Sequence, residues 1–205
     1  MEYKDAVLDI ISQVPSAPDF VIVRAMNRVA RRFCDDTTAY RHTLLNVAAA
    51  ANTANITITI PADTAVNAVH LVRWGNKKLS PATDKFLATI GDNRLTGRPD
   101  YFLWREGTTI TLFPTPQEAQ EVDVEISLRP TRTATAIPEW FADKYYEVLV
   151  AGTCAELART PDTEYTNEQL FGLMESYYND GVIKARQEAY GADRAVPRKV
   201  RYGGY

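Results

Sequence analysis

The sequence predicts an α+β fold, a helical bundle with an antiparallel β-sheet insertion. Three observations carry that reading. Apolar residues recur at helical spacing through the first 40 residues, strict two-residue alternation dominates the middle, and a long, almost uncharged helical stretch opens the last third. Each element follows from its own pattern.

Val7, Ile10, Ile11 and Val14 mark a first short helix, which Pro15 and Pro18 interrupt. Ser16 or Asp19 is expected to cap the next helix, with Pro18 near its first turn. On that helix Ile22, Met26, Val29 and Phe33 fall at i, i+4, i+7 and i+11 and form one apolar face. Arg24, Arg28, Arg31 and Asp35 lie opposite, as a charged stripe facing water or a partner.

The middle is β-rich. Ile56, Ile58 and Ile60 alternate with Thr57 and Thr59 until Pro61 stops the run. The segment Val66 to Trp74 is apolar enough for a central strand and ends at Gly75-Asn76. Residues Tyr101 to Arg105 and Thr109 to Phe113 flank Glu106-Gly107-Thr108, a hairpin turn signal. Val122, Val124, Ile126 and Leu128 alternate with Asp123, Glu125, Ser127 and Arg129, which predicts one packed and one wet face and hence an antiparallel sheet. The stretch Thr83 to Pro99, with Gly91, Gly97 and Pro99, carries no readable pattern.

The last third reads as two linked helices. Between Tyr145 and Ala158 the only charges are Glu147 and Glu156, nine residues apart and so about half a turn out of phase. A helix with no broad polar face has to be covered on every side, and neighbouring subunits are a natural cover. Thr160-Pro161-Asp162 breaks the pair, and Thr166 or Asn167 caps the second helix. There Leu170, Met174 and Tyr177, with Phe171, Tyr178 and Val182, form two adjacent apolar stripes. Gly172 and Gly181 interrupt this helix, either where another backbone approaches closely or as plain weak spots. The final stretch holds Arg194, Arg198, Lys199 and Arg201 with no acid after Asp193, and the aromatics Tyr202 and Tyr205. It is expected to be disordered in free solution and ordered on a partner. The chain thus divides into N-terminal bundle helices (1–42), a β-rich insertion (43–130), a helix pair completing the bundle (131–190) and a flexible basic arm (191–205).

Composition narrows the function classes. With 205 residues, 45% hydrophobic and 24% charged, the chain has the make-up of a globular protein with a real core. A net charge of −3 argues against general affinity for nucleic acid. No apolar run is long enough for a membrane span, and the N-terminus lacks the pattern of a signal peptide. Neither a phosphate-binding loop nor a GxSxG nucleophile elbow is present. His42 and His70 are the only histidines, Cys34 and Cys154 the only cysteines, and none sits at ligand spacing. No metal or cofactor is expected. Asp123 and Glu125 share one strand face about 7 Å apart, a spacing that a glycan-cleaving carboxylate pair and an ordinary wet strand both offer. Asp35-Asp36 is a second acidic pair. The basic arm suits either weak, salt-sensitive nucleic-acid binding or docking on a protein.

Three stretches in this order carry a likeness to a known family. They are RAMNRVARRFCDDTTAYR (Arg24 to Arg41), GRPDYFLWREGTTITLFPTPQ (Gly97 to Gln117), and the proline-led helix pair from Ile137 to Ala189. The chain resembles the head-to-tail adaptor (connector) proteins of tailed bacteriophages. The resemblance implies a structural, non-catalytic protein of the virion neck, made in the host cytoplasm. It further implies a ring of about twelve copies beneath the portal, joined to the tail or to a nozzle or stopper protein, around a channel that DNA crosses without sequence-specific binding. In that family the C-terminal arm commonly reaches the portal or a neighbour. Arg194, Arg198, Lys199, Arg201, Tyr202 and Tyr205 are therefore the candidate portal or neighbour contacts. Trp140, Phe141, Tyr145, Tyr146, Tyr177 and Tyr178 are the candidate subunit-packing residues, about half of them expected to serve the chain's own core instead. The β-rich zone is longer than a minimal adaptor needs, and Thr83 to Pro99 has no counterpart in it.

Overall fold

The computed structural model describes residues 1–86 and 95–193. A 3₁₀ turn at Tyr3–Ala6 leads into α1 (Val7–Gln13), then α2 (Asp19–Thr37). Among the described residues ten strands follow, and then α3 (Glu139–Ala158) and α4 (Glu168–Asp193). The fold is α+β, as the sequence patterns predict.

The apolar face of α2 is the floor of the core: Ile22, Met26, Val29 and Phe33 are fully enclosed. Pro18, and neither Ser16 nor Asp19, occupies the N-cap, with no side-chain cap bond; its fixed φ of −66° sets the helix entrance instead. The helix ends at Thr38, in left-handed conformation, whose amide bonds Cys34 O. Asn167 caps α4, its Oδ1 accepting the Leu170 amide at 3.0 Å.

The main sheet runs β1 (Arg41–Ala49), β10 (Gln120–Pro130), β3 (Thr64–Trp74), β4 (Lys77–Lys78), all antiparallel. Val122 faces Trp74 and Val124 faces Val72 across the β10–β3 ladder, and all four side chains are buried. Two register shifts, after Glu125 and after Ser127, kink that ladder. The extra residues, Asn67 and His70, lie on β3, so β10 keeps its alternation: Ile126 and Leu128 stay in the core, and Ser127, on the face predicted to be wet, is nonetheless fully buried.

The second sheet runs β2 (Asn55–Thr57), β8 (Thr109–Phe113), β7 (Tyr101–Trp104), β5 (Ser80–Pro81). Its β7–β8 hairpin turns through Gly107 at φ +68°, and Trp104 Nε1 donates to Gly107 O at 3.0 Å. A parallel pair, β6 (Thr96–Gly97) with β9 (Thr115–Pro116), borders it. Of the unreadable stretch 83–99, residues 83–86 and 95–99 are described. Asp84 pairs with Arg105, and Phe86 packs edge-on against Tyr101 at 5.0 Å.

The helices α2, α3 and α4 pack around one junction. A Cβ on Gly152 of α3 would lie 2.5 Å from the Tyr178 ring and 2.7 Å from Val29 Cγ1, so only glycine fits between α2 and α4. On α4, a Cβ at Gly181 would stand 2.5 Å from both Val148 methyls, whereas one at Gly172 meets nothing within 4 Å. Of the two α4 glycines, Gly181 is therefore a close-approach site and Gly172 is not. One continuous cluster of buried side chains joins this junction to both four-stranded sheets.

We expect Gly152→Ala and Gly181→Ala each to destabilise the chain by about 1–3 kcal/mol through overpacking. Gly172→Ala should be neutral or stabilise by up to about 1 kcal/mol through helix propensity. Urea unfolding of the three variants checks this, and equal effects at Gly172 and Gly181 would contradict it.

Candidate functional site

The six aromatics expected at subunit contacts do not share one environment. Phe141, Tyr145 and Tyr178 lie in the chain's own core, clustered on Phe33 with ring centroids at 6.0, 4.9 and 6.4 Å. Arg32 seals this cluster from outside, its guanidinium 4.8 Å from the Tyr178 ring centroid. Tyr146 is half-buried, and its hydroxyl donates to Asp9 Oδ2, tying α3 to α1. Trp140 is half-exposed and packs edge-on against Tyr40 at 5.7 Å. Tyr177 points outward.

The cover for α3 also differs from the sequence expectation. Its second half, Leu149 to Ala158, is enclosed largely by α2 and α4 of the same chain, with Glu156 paired to Arg28, while Asp143, Lys144 and Glu147 in its first half stay exposed. Its apolarity reflects internal burial. Outward apolar side chains gather instead on α4, where Leu173, Tyr177, Ile183 and Tyr190 are each half-exposed or more, with Leu8, Phe20 and Leu45 exposed elsewhere. Leu173 and Tyr177 are one turn apart, and Ile183 and Tyr190 two turns, so they form two separate short stripes, roughly a third of a turn apart around the helix. Of these, sequence reasoning singled out Tyr177 alone. The α4 positions that face inward are Tyr178, Val182 and Ala185.

The carboxylates are occupied structurally. Asp123 Oδ1 accepts the Asn46 amide at 3.2 Å, and Glu125 Oε1 accepts Arg41 Nη1 at 3.0 Å, both on the neighbouring β1. Asp35 takes Arg129 Nη1 on both oxygens, at 3.0 and 3.1 Å, and so fastens α2 to β10. Among the described residues no cluster of His, Cys, Asp and Glu is placed to hold a metal ion. Cys34 and Cys154 are buried, and burial pushes the Cys154 thiol up to about 11 and Cys34 further. Both stay protonated at neutral pH and act as small core residues.

A strap along the bundle completes the picture. The N-terminal amine donates to Ile137 O at 3.1 Å, and the Tyr3 amide to Thr135 O at 2.9 Å. From α2, buried Asn27 sends its amide to Thr131 O at 3.1 Å and Ala134 O at 2.8 Å. The link 131–137 is therefore held from two sides. The arm residues Arg194, Arg198, Lys199, Arg201, Tyr202 and Tyr205 lie outside the described residues.

A bundle that encloses its own core, structurally engaged carboxylates and an outward apolar helix face describe a binding protein more readily than an active site. The SU10 adaptor protein family matches residues 2–201. The chain belongs to this family of phage head-to-tail adaptors. Membership makes it a structural adaptor and a component of the virion. No match was found among curated proteins. Among the described residues no helix is long and apolar enough to cross a membrane.

Two consequences are measurable. Asn27→Ala should cost about 1–3 kcal/mol, because it strands two carbonyls of the link, and thermal unfolding reads it. Stability should also fall at alkaline pH. Burial raises the Tyr146 hydroxyl to about 12, helped by Asp9, from an ordinary value of 10.0, and raises Tyr3 as well. Groups with raised folded pKa values favour the folded state fully below their unfolded values and lose that contribution as pH climbs through the folded ones. Unfolding free energy should therefore decline from about pH 9 upward, and Tyr146→Phe should flatten the slope between 10 and 12. An unchanged slope in that variant would contradict the assignment.

Proposed function

We propose that this adaptor forms the ring beneath the portal of a tailed phage, linking the capsid to the tail and lining the DNA exit channel. The observation that carries the reading is the family match along nearly the whole chain. The outward face of α4 supports it, since Leu173, Tyr177, Ile183 and Tyr190 present apolar area that the chain does not use itself. A ring contact is heterologous, so α4 of one copy meets a different surface of the next. Trp140 joins these contacts, while Phe141, Tyr145 and Tyr178 serve the core. In this reading residues 1–42 and 131–190 form the ring-building bundle and residues 43–130 an appended sheet unit. The arm 191–205 docks on the portal or a neighbour through Arg194, Arg198, Lys199, Arg201, Tyr202 and Tyr205. A tail, nozzle or stopper protein binds the opposite side, and the protein is made in the host cytoplasm before joining the virion. No step of this role needs catalysis, a cofactor or a metal.

The solution mass of the protein, alone and mixed with its portal ring, tests the proposal. The expected result is a monomer that joins the portal as a stoichiometric ring; a protein that ignores the portal sinks the reading. Leu173→Ser/Tyr177→Ser should leave stability within about 0.5 kcal/mol, as for other exposed positions, yet abolish ring formation on the portal. Removing residues 194–205 should weaken docking and leave the fold intact.

A further inference from the structure

The arginine stripe of α2 does not end in open water. Arg24, Arg28 and Arg31 form one wall of a cleft of about 520 Å³. The other wall is the link segment Arg132, Thr133, Ala134 and Thr135, more than a hundred residues away in sequence. Asn27 holds the walls together through its bonds to Thr131 O and Ala134 O. The four guanidinium groups are thereby placed by rigid elements rather than by a loose surface.

Their charge is only partly answered. Arg28 pairs with Glu156 of α3. Arg24, Arg31 and Arg132 have no acidic partner among the described residues. Three guanidinium groups lining one cleft without an acidic partner suit an incoming anion.

We infer that this cleft binds carboxylates of an acidic polypeptide segment supplied by an assembly partner. A carboxylate matches the guanidinium fork, and Glu156 already answers Arg28 through its Nε. The cleft's size is that of sites enclosing a few side chains. A nucleic-acid backbone is a poorer fit. The chain is net acidic at −3 even with the four cations of its arm, so its field repels a polyanion approaching the body. A peptide places a few carboxylates in the concavity without carrying a long run of charge past the surrounding acids. The inference rests on the adaptor reading only for where such a partner is met.

The test uses the full-length chain without portal, so its failure leaves the adaptor reading standing. Fluorescein-labelled hexaglutamate is titrated by anisotropy, with (dT)12 and inorganic phosphate as competitors. Arg24 and Arg132 are both exposed, so Arg24→Gln/Arg132→Gln should keep the native circular dichroism spectrum. Each change is expected to weaken hexaglutamate binding roughly fivefold, the ceiling for a solvent-accessible ion pair. Arg198→Gln/Lys199→Gln/Arg201→Gln in the arm should change it less than about twofold, which separates cleft from arm. Wild-type affinity in the Arg24/Arg132 variant overturns the inference. Tighter binding of (dT)12 than of hexaglutamate, lost in that same variant, overturns it in favour of nucleic acid, and displacement by phosphate as effective as by unlabelled hexaglutamate reduces it to a small-anion site.

Discussion

From Leu149 to Ala158 helix α3 is covered nearly all round, and the rest of the bundle is arranged to enclose that stretch. Gly152 lets Val29 and Tyr178 approach its backbone from two sides, and Val148 presses into the space left at Gly181. Phe33, Phe141 and Tyr145 then fill the layer beside that junction. Close-packed interiors transmit strain, so a methyl group at Gly152 has to be absorbed by three helices at once and one at Gly181 by two. The orientation of α4, and with it the direction in which Leu173, Tyr177, Ile183 and Tyr190 face, follows from this junction. The outward surface is thus a consequence of how the inward one is packed.

The sheet is coupled to the bundle by polar ties at one end of β10. Asp35 grips Arg129, the Leu128 amide bonds Tyr40 O at 2.8 Å, and Asn67 donates to Cys34 O at 3.0 Å. All three involve the last turn of α2 or the residues just after it. Buried apolar packing is non-directional, whereas these bonds fix an angle. An adaptor that transmits position between two assemblies benefits from such a joint, because a sheet unit free to swivel could not register a partner.

Much of this was legible in the sequence, and the gaps have physical causes. The inward face of α2 followed from the spacing of Ile22, Met26, Val29 and Phe33, and the β10 strand from strict alternation. Strand β1 was not legible. A bulge at Leu45–Asn46, with Asn46 at φ +57°, breaks the alternation that would have announced it. Ser127 stays on the face that alternation predicts yet is fully buried there, because the burial of a strand's second face depends on what packs over it and not on the strand's own period. The apolarity of the second half of α3 correctly signalled near-complete cover but not its source, because hydrophobicity records that a surface is buried and carries no label for the partner. Adjacent tyrosines show the limit most sharply: Tyr177 and Tyr178 have the same chemistry, and only the position of Gly152 decides which one enters the core. The arginine stripe was visible on α2, but Arg132 joins it through tertiary structure alone.

Enclosing α3 within one chain also bears on how a ring would assemble. A subunit whose most apolar helix depended on neighbours would fold only in company, and its stability would be inseparable from concentration. Here the core is closed by the chain itself, and what remains outside includes scattered apolar side chains, those of α4 among them, and a charged cleft on α2. Each contact alone is weak, for an exposed ion pair contributes at most about 1 kcal/mol and a small apolar patch is below the size of a stable dimer interface. Contacts of that strength hold little in dilute solution. They become cooperative when a symmetric template presents many sites at once and makes each successive docking effectively intramolecular. A self-sufficient core with individually weak edges would keep subunits apart until such a template existed, and let the template lock them together.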